Sequence, residues 1–141
     1  MRAMENLLVG VDGSEVSVRA ARQATELAAA FGAKVTLLHV VSPIVIPGDA
    51  SWAPLEQLQS AELENGQKLV HEVQRALGSA QTQELVKVGP AADTIVEVAT
   101  SLKDCLIVVG STGKGAVKRL FLGSVADRVV HLSYGPVLVV R

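Results

Sequence analysis

The chain reads Gly110-Ser111-Thr112-Gly113-Lys114-Gly115, and after Gly113 nine residues intervene before Gly123-Ser124. Glycines so closely spaced suit a loop whose backbone N–H groups turn inward, in conformations closed to other residues, to make a concave nest for anionic oxygens. Ser111 and Thr112 place hydroxyl donors beside that nest, and Lys114 adds a cation. Gly123 and Ser124 stand where a helix is expected to begin, so unpaired N–H groups, the positive end of the helix dipole and a serine hydroxyl gather there. Both ends of the stretch favour phosphate, and a triphosphate fits the need. A tight strand-to-helix connection would also use glycine, but the flanking donors point to an anion. Lys118 and Arg119 fit a solvated outer face. The pattern is neither the P-loop, which ends on Gly-Lys-Ser/Thr after a first strand, nor the Gly-x-Gly-x-x-Gly dinucleotide fingerprint.

The elements that must carry this loop follow from periodicity. Leu7-Leu8-Val9-Gly10-Val11 is a short apolar run closed by Asp12-Gly13-Ser14, a turn with a helix N-cap, and reads as a buried first strand. From Glu15 to Phe31 apolar residues recur at steps of three and four, and Gly32 is placed to end that helix. Lys34 to Val41 reads as a second central strand. Ser42 to Pro54, with three prolines and Gly48, reads as a loop long enough for a lid or variable insertion. Leu55, Leu58, Val70, Val73 and Leu77 mark one face of a second helix, with the breaker-like pair Asn65-Gly66 in its middle. Glu84 to Val88 alternates, as a strand near the sheet edge does. Ala91 to Leu102 reads as a helix opened by Gly89-Pro90, Cys105 to Val109 as an apolar strand, Leu122 to Leu132 as a helix and Pro136 to Val140 as a last strand. Strict alternation of strand and helix predicts a parallel sheet covered on both faces. Ligands of such sheets gather beyond the carboxyl ends of the strands, where the strand order reverses.

Composition narrows the function. With 141 residues one compact domain, 1–141, is expected. Hydrophobic residues make up 49% and aromatics 3%, so Val, Leu, Ile and Ala must build the core, as in buried parallel strands. A formal net charge of −1 offers no basic field for a polyanion, which argues against nucleic acid as partner. Met1 to Asn6 lacks the regions of a signal peptide, no apolar run approaches the roughly 20 residues of a membrane helix, and the lone Cys105 has no internal disulfide partner. A cytoplasmic protein is expected. His39, His71 and His131 have no Cys or carboxylate at metal spacing and no nucleophile to activate, and read as structural. Cys105 reads as an inert core thiol. Trp52 could cover a ligand's base or simply pack the 42–54 loop.

The glycine pattern, together with Val9-Gly10-Val11-Asp12-Gly13-Ser14, Leu38-His39-Val40, Ile107-Val108-Val109-Gly110 and Gly135-Pro136-Val137-Leu138-Val139-Val140, resembles the ATP-binding class of the universal stress protein family over essentially the whole chain. The resemblance implies an α/β fold like that of the adenine nucleotide alpha hydrolases, with one doubly wound five-stranded parallel sheet of order 3-2-1-4-5. It also implies ATP, with Mg²⁺ on its phosphates, over the ends of strands one and four. Asp12 would hydrogen-bond the ribose, although a turn and capping residue would equally be Asp. Backbone groups at Val40 would hold the adenine edge. Gly110, Gly113, Gly123 and Ser124, with the neighbouring Val11, Gly13, Ser111, Thr112, Lys114, Gly115 and Val125, would take ribose and phosphates. Family members commonly dimerise through the last strand, so a homodimer through Val137–Val140 is expected, that uncapped edge being otherwise a pairing liability. A nucleotide-dependent regulatory protein of the stress response is the leading expectation. The alternatives are a slow ATP hydrolase or autophosphorylating enzyme, with Ser111, Thr112 or Ser124 as acceptor, an AMP- or cyclic AMP-binding protein, and a nucleotide-free interaction module.

Overall fold

The structure is a computed structural model, and it describes residues 3–49, 54–78, 80–113 and 122–141. Among these, nine elements alternate: β1 (Asn6–Gly10), α1 (Glu15–Phe31), β2 (Lys34–Val41), α2 (Leu55–Ala76), β3 (Gln83–Val88), α3 (Ala91–Ser101), β4 (Cys105–Gly110), α4 (Ser124–Leu132) and β5 (Val137–Val140). The five strands form one sheet in the order β3-β2-β1-β4-β5, and every neighbouring pair is parallel.

Alternate residues of each central strand face opposite layers. Leu7, Val9, Leu37 and Val108 pack with Ala20, Ala24 and Val70 on the α1–α2 side. Leu8, Leu38, Ile107 and Val109 pack with Ile95, Ala126 and Val129 on the α3–α4 side. Four alanines of α1, at 20, 21, 24 and 28, are buried, which lets that helix lie close on the sheet. Ser14 caps its start by accepting from Ser17 N–H, and Gly32, at φ 68°, ends it in the left-handed conformation.

α2 differs from the expectation in two ways. It runs unbroken through Asn65-Gly66, because Gly66 is buried where helix meets sheet: a Cβ there would lie 3.0 Å from Val86 Cγ1, 3.1 Å from His39 Cδ2 and 3.2 Å from Val41 Cγ2. The glycine is therefore a close-approach residue and not a break. Leu55 and Leu58, expected on the packed face, are exposed, and the buried stripe is Gly66, Val70 and Val73. The helix has 22 residues, about 33 Å at ~1.5 Å per residue. That outruns the strands beneath it, about 20–27 Å at ~3.3 Å per residue, so its first turns project past the carboxyl edge.

The two sheet edges differ in character. β3 carries exposed Glu84 and Lys87, charges of the kind that discourage edge pairing. β5 is Val137-Leu138-Val139-Val140, half-buried throughout and without a charge. No helix among the described residues is long and apolar enough to cross a membrane.

Candidate functional site

The strand order reverses between β1 and β4, so their carboxyl ends splay toward different neighbours and leave a crevice. On the β1 side the chain makes one further rung, Val11 N–H to Leu38 C=O at 2.8 Å, and then turns. Asp12 Oδ1 accepts from Ser14 N–H at 2.9 Å, closing an Asx-turn, with Gly13 at φ 84° supplying the left-handed step. Ser17, 3% exposed, holds this turn from below: its hydroxyl donates to Ser14 C=O at 2.9 Å and accepts from Asp12 N–H at 3.3 Å. From above, His39 Nδ1–H donates to Val11 C=O at 2.8 Å. The peptide linking Val11 to Asp12 is thus clamped at both its carbonyl and its N–H.

On the β4 side the glycines are explained by close approach. None of Gly110, Gly113 and Gly123 has a left-handed φ, which corrects the expectation that they adopt conformations closed to other residues. A Cβ on Gly110 would lie 2.6 Å from Val16 Cγ1 in the first turn of α1. One on Gly123 would lie 3.1 Å from Thr112 Cα, and one on Gly113 would lie 3.0 Å from Asp12 Oδ2. The Asp12 carboxylate therefore lies directly over Gly113, joining the two halves of the site.

The expected nest is narrower than the motif suggests. Ser111 N–H donates to Val140 C=O at 2.7 Å and Gly123 N–H to Ser111 C=O at 2.6 Å, so these two amides are committed to holding the loop. Further donors stand at the start of α4. Its N-cap, Gly123, has no side chain to cap the helix, and the first intrahelical bond at that end is Asp127 N–H to Gly123 C=O at 2.9 Å. The N–H groups of Ser124, Val125 and Ala126 precede that bond and have no carbonyl of their own helix to reach. With the helix dipole behind them they have the geometry and polarity to receive an anion. α3 likewise begins without a side-chain cap at this edge.

These pieces enclose a cavity of about 430 Å³, within the usual range of small-molecule sites, roughly 300–1,000 Å³. Its lining combines apolar residues, Leu38, Val40, Ile95 and Val109 with the small Ala91 and Ala126, and polar ones, Asp12, Ser17, Thr112 and Ser124. Such a lining can take a molecule that joins a flat heterocycle to a hydroxylated, anionic tail.

Of the residues expected in the site, Val11, Asp12, Val40, Gly110, Thr112, Gly113, Gly123, Ser124 and Val125 line this cavity. Gly13 and Ser111 do not: the first shapes the Asx-turn and the second anchors the loop to β5. Lys114, Gly115 and Trp52 lie outside the described residues. Sequence reasoning missed Ser17 as a support of Asp12, though Ser14-x-x-Ser17 carried the signal of two hydroxyls in one helical turn. It took His39 as structural; the residue is among those lining the cavity, and its imidazole holds the Val11 carbonyl. His71 and His131 lie elsewhere on the surface, against Glu84 and Asp127. Cys105, at the start of β4, has its thiol pushed up to about 11 by burial.

The sequence pattern of the Universal stress protein family matches residues 4–141. A universal stress protein of Methanocaldococcus jannaschii is 38% identical over 140 residues, covering 97% of this chain and 82% of the relative. Among solved structures, the universal stress protein UspA from Lactobacillus plantarum superposes with a TM-score of 0.86 at 26% identity over the full length of both chains. A universal stress protein solved in complex with cAMP superposes with a TM-score of 0.74 at 29% identity, covering 99% of each chain.

Proposed function

Since the chain belongs to the universal stress protein family, we propose that it is a nucleotide-dependent regulatory protein of the stress response that binds ATP in the cavity between β1 and β4. The observation that carries this reading is the convergence, in one cavity, of an apolar slot bordered by Val40, the Asp12 carboxylate and the uncapped start of α4. In this reading the adenine lies between Val40 and Ile95, its edge on the Val40 peptide groups. The ribose hydroxyls donate to Asp12. The phosphates extend over Gly113 to the N–H groups of Ser124 and Val125, with the hydroxyls of Thr112 and Ser124 as further donors. Lys114 and Gly115 join the proposal through the glycine motif alone. Mg²⁺ on the phosphates fits this donor set, because that ion keeps most of its water and takes few protein ligands when it travels with a polyphosphate.

A second reading rests on the neighbour solved with cAMP: the same slot and carboxylate would accept a cyclic mononucleotide. The proposal concerns binding, and the homodimer through Val137–Val140 belongs to it as the means by which occupancy reaches a partner surface. Mass spectrometry of ligand released by denaturing the purified protein tests it. ATP is the expected ligand; cyclic AMP or AMP in its place would establish the second reading. A protein that releases no nucleotide and binds none in equilibrium dialysis would be an interaction module instead.

A further inference from the structure

In a parallel pair every second residue of a strand donates to the carbonyl preceding its partner and accepts from the N–H following it, and the residues between turn to the other side. Gly10 stands opposite Leu38, so the next pair in register is Val11 with His39. The first half of that rung is made, Val11 N–H to Leu38 C=O at 2.8 Å. The second half, Val40 N–H to Val11 C=O, is not among the backbone hydrogen bonds of the described residues, and the β1–β2 ladder ends at Gly10. The Val11 carbonyl is held instead by His39 Nδ1–H at 2.8 Å. The alternation also fixes where the Val40 groups point. Val41 C=O accepts from Gly89 N–H on the β3 side at 3.0 Å, so the N–H and C=O of Val40 turn to the opposite side, toward the space beyond the end of β1 that the cavity occupies.

We infer that His39 ends the β1–β2 ladder at the cavity: by taking the Val11 carbonyl it leaves the Val40 N–H open, beside the Val40 C=O that the chain turns away from at Asp12-Gly13, to the hydrogen-bonding edge of a purine. His39 is thus a positioning residue for base recognition, acting through the backbone. Gly66 is part of the device, since a Cβ there would lie 3.1 Å from His39 Cδ2; its absence admits the ring between α2 and the strand end. The inference rests on the proposal that a base edge lies at Val40, and it adds a residue that discriminates between bases.

The test compares wild type, His39→Leu and His39→Asn in equilibrium binding of ATP, GTP and inorganic tripolyphosphate, with amide hydrogen exchange at Val40 in the ligand-free proteins. Leucine fills the space without a donor. Asparagine places an amide N–H near the position of Nδ1. In His39→Leu the ATP affinity falls about tenfold to a hundredfold, on the order of one or two hydrogen bonds, and the preference for ATP over GTP collapses. Tripolyphosphate binding stays as in wild type, and Val40 N–H becomes protected as it closes onto Val11. His39→Asn restores the ATP preference and the open amide. Unchanged selectivity in His39→Leu, or parallel weakening of ATP and tripolyphosphate without a change at Val40, overturns the inference. A wild-type protein that binds none of the three ligands removes the nucleotide reading; exchange at Val40 then judges the ladder-ending role by itself.

Discussion

Gly113→Val separates the site from the fold. A Cβ at this position would already lie 3.0 Å from Asp12 Oδ2, and the two γ carbons of valine reach further. The carboxylate cannot swing aside without cost, because Oδ1 is tied to Ser14 N–H at 2.9 Å and the Asp12 N–H to the Ser17 hydroxyl at 3.3 Å. Gly113 itself is exposed and outside both core clusters, so stability should change by no more than about 1 kcal/mol. Binding should change far more. Displacing Asp12 removes a charge-assisted hydrogen bond to the ribose, about 1.5–3 kcal/mol, and a branched side chain over the phosphate path removes at least one further bond of about 1 kcal/mol. The sum, roughly 2.5–4 kcal/mol, is about sixtyfold to several hundredfold at ~1.4 kcal/mol per factor of ten. Titration calorimetry with ATP on the variant and its parent measures the loss, and a thermal melt of each measures the stability. ATP affinity within threefold of the parent at an unchanged melting temperature would refute the placement of the phosphates over Gly113. A large fall in melting temperature would refute the claim that this glycine serves the site and not the fold.

Three further substitutions or conditions probe other parts of the molecule. Gly32→Ala imposes a side chain at φ 68° where nothing lies within 4 Å, so urea unfolding should show a loss of about 1–2 kcal/mol from backbone strain alone, with ATP affinity intact; a loss of affinity would mean that the far end of α1 reports on the site. Ile107 N–H donates to Pro136 C=O and Ser111 N–H to Val140 C=O, so the Val139 peptide N–H faces away from β4, and Val139→Pro deletes an outward donor without breaking a rung. Light scattering should find this variant monomeric, and a persistent dimer would move the interface off β5. The Cys105 thiol, raised by burial from an ordinary 9.0 to about 11, stays protonated in the folded chain while the unfolded chain loses its proton first. Its contribution is therefore fully present below pH 9 and declines as pH rises toward 11. Alkylation of the native protein at pH 8 should be correspondingly slow, and labelling as fast as that of the unfolded chain would contradict the burial.

Sequence by itself determined the architecture and pointed to the address of the candidate site. The apolar runs at residues 7–11, 34–41 and 105–109 and the three-to-four spacing from Glu15 to Phe31 are local patterns that few other arrangements of strand and helix satisfy, and the observed elements fall within a residue or two of them. Alternation then forced a parallel sheet, and the glycine spacing from Gly110 to Gly123 located the loop at its carboxyl edge. What a local pattern does not carry is the partner of each polar group, because that depends on the register between strands distant in sequence. Only the tertiary structure committed the amides of Ser111 and Gly123 to the loop and left those at the start of α4 to face the cavity. It also turned Gly66 from a helix breaker into a contact and exposed Leu55 and Leu58 past the sheet's end. The same dependence on register brought His39, 28 positions along the chain, onto the carbonyl of Val11. Hydrophobic periodicity is written along a single segment, whereas hydrogen-bond satisfaction is settled between segments, and it is the second that shapes the site.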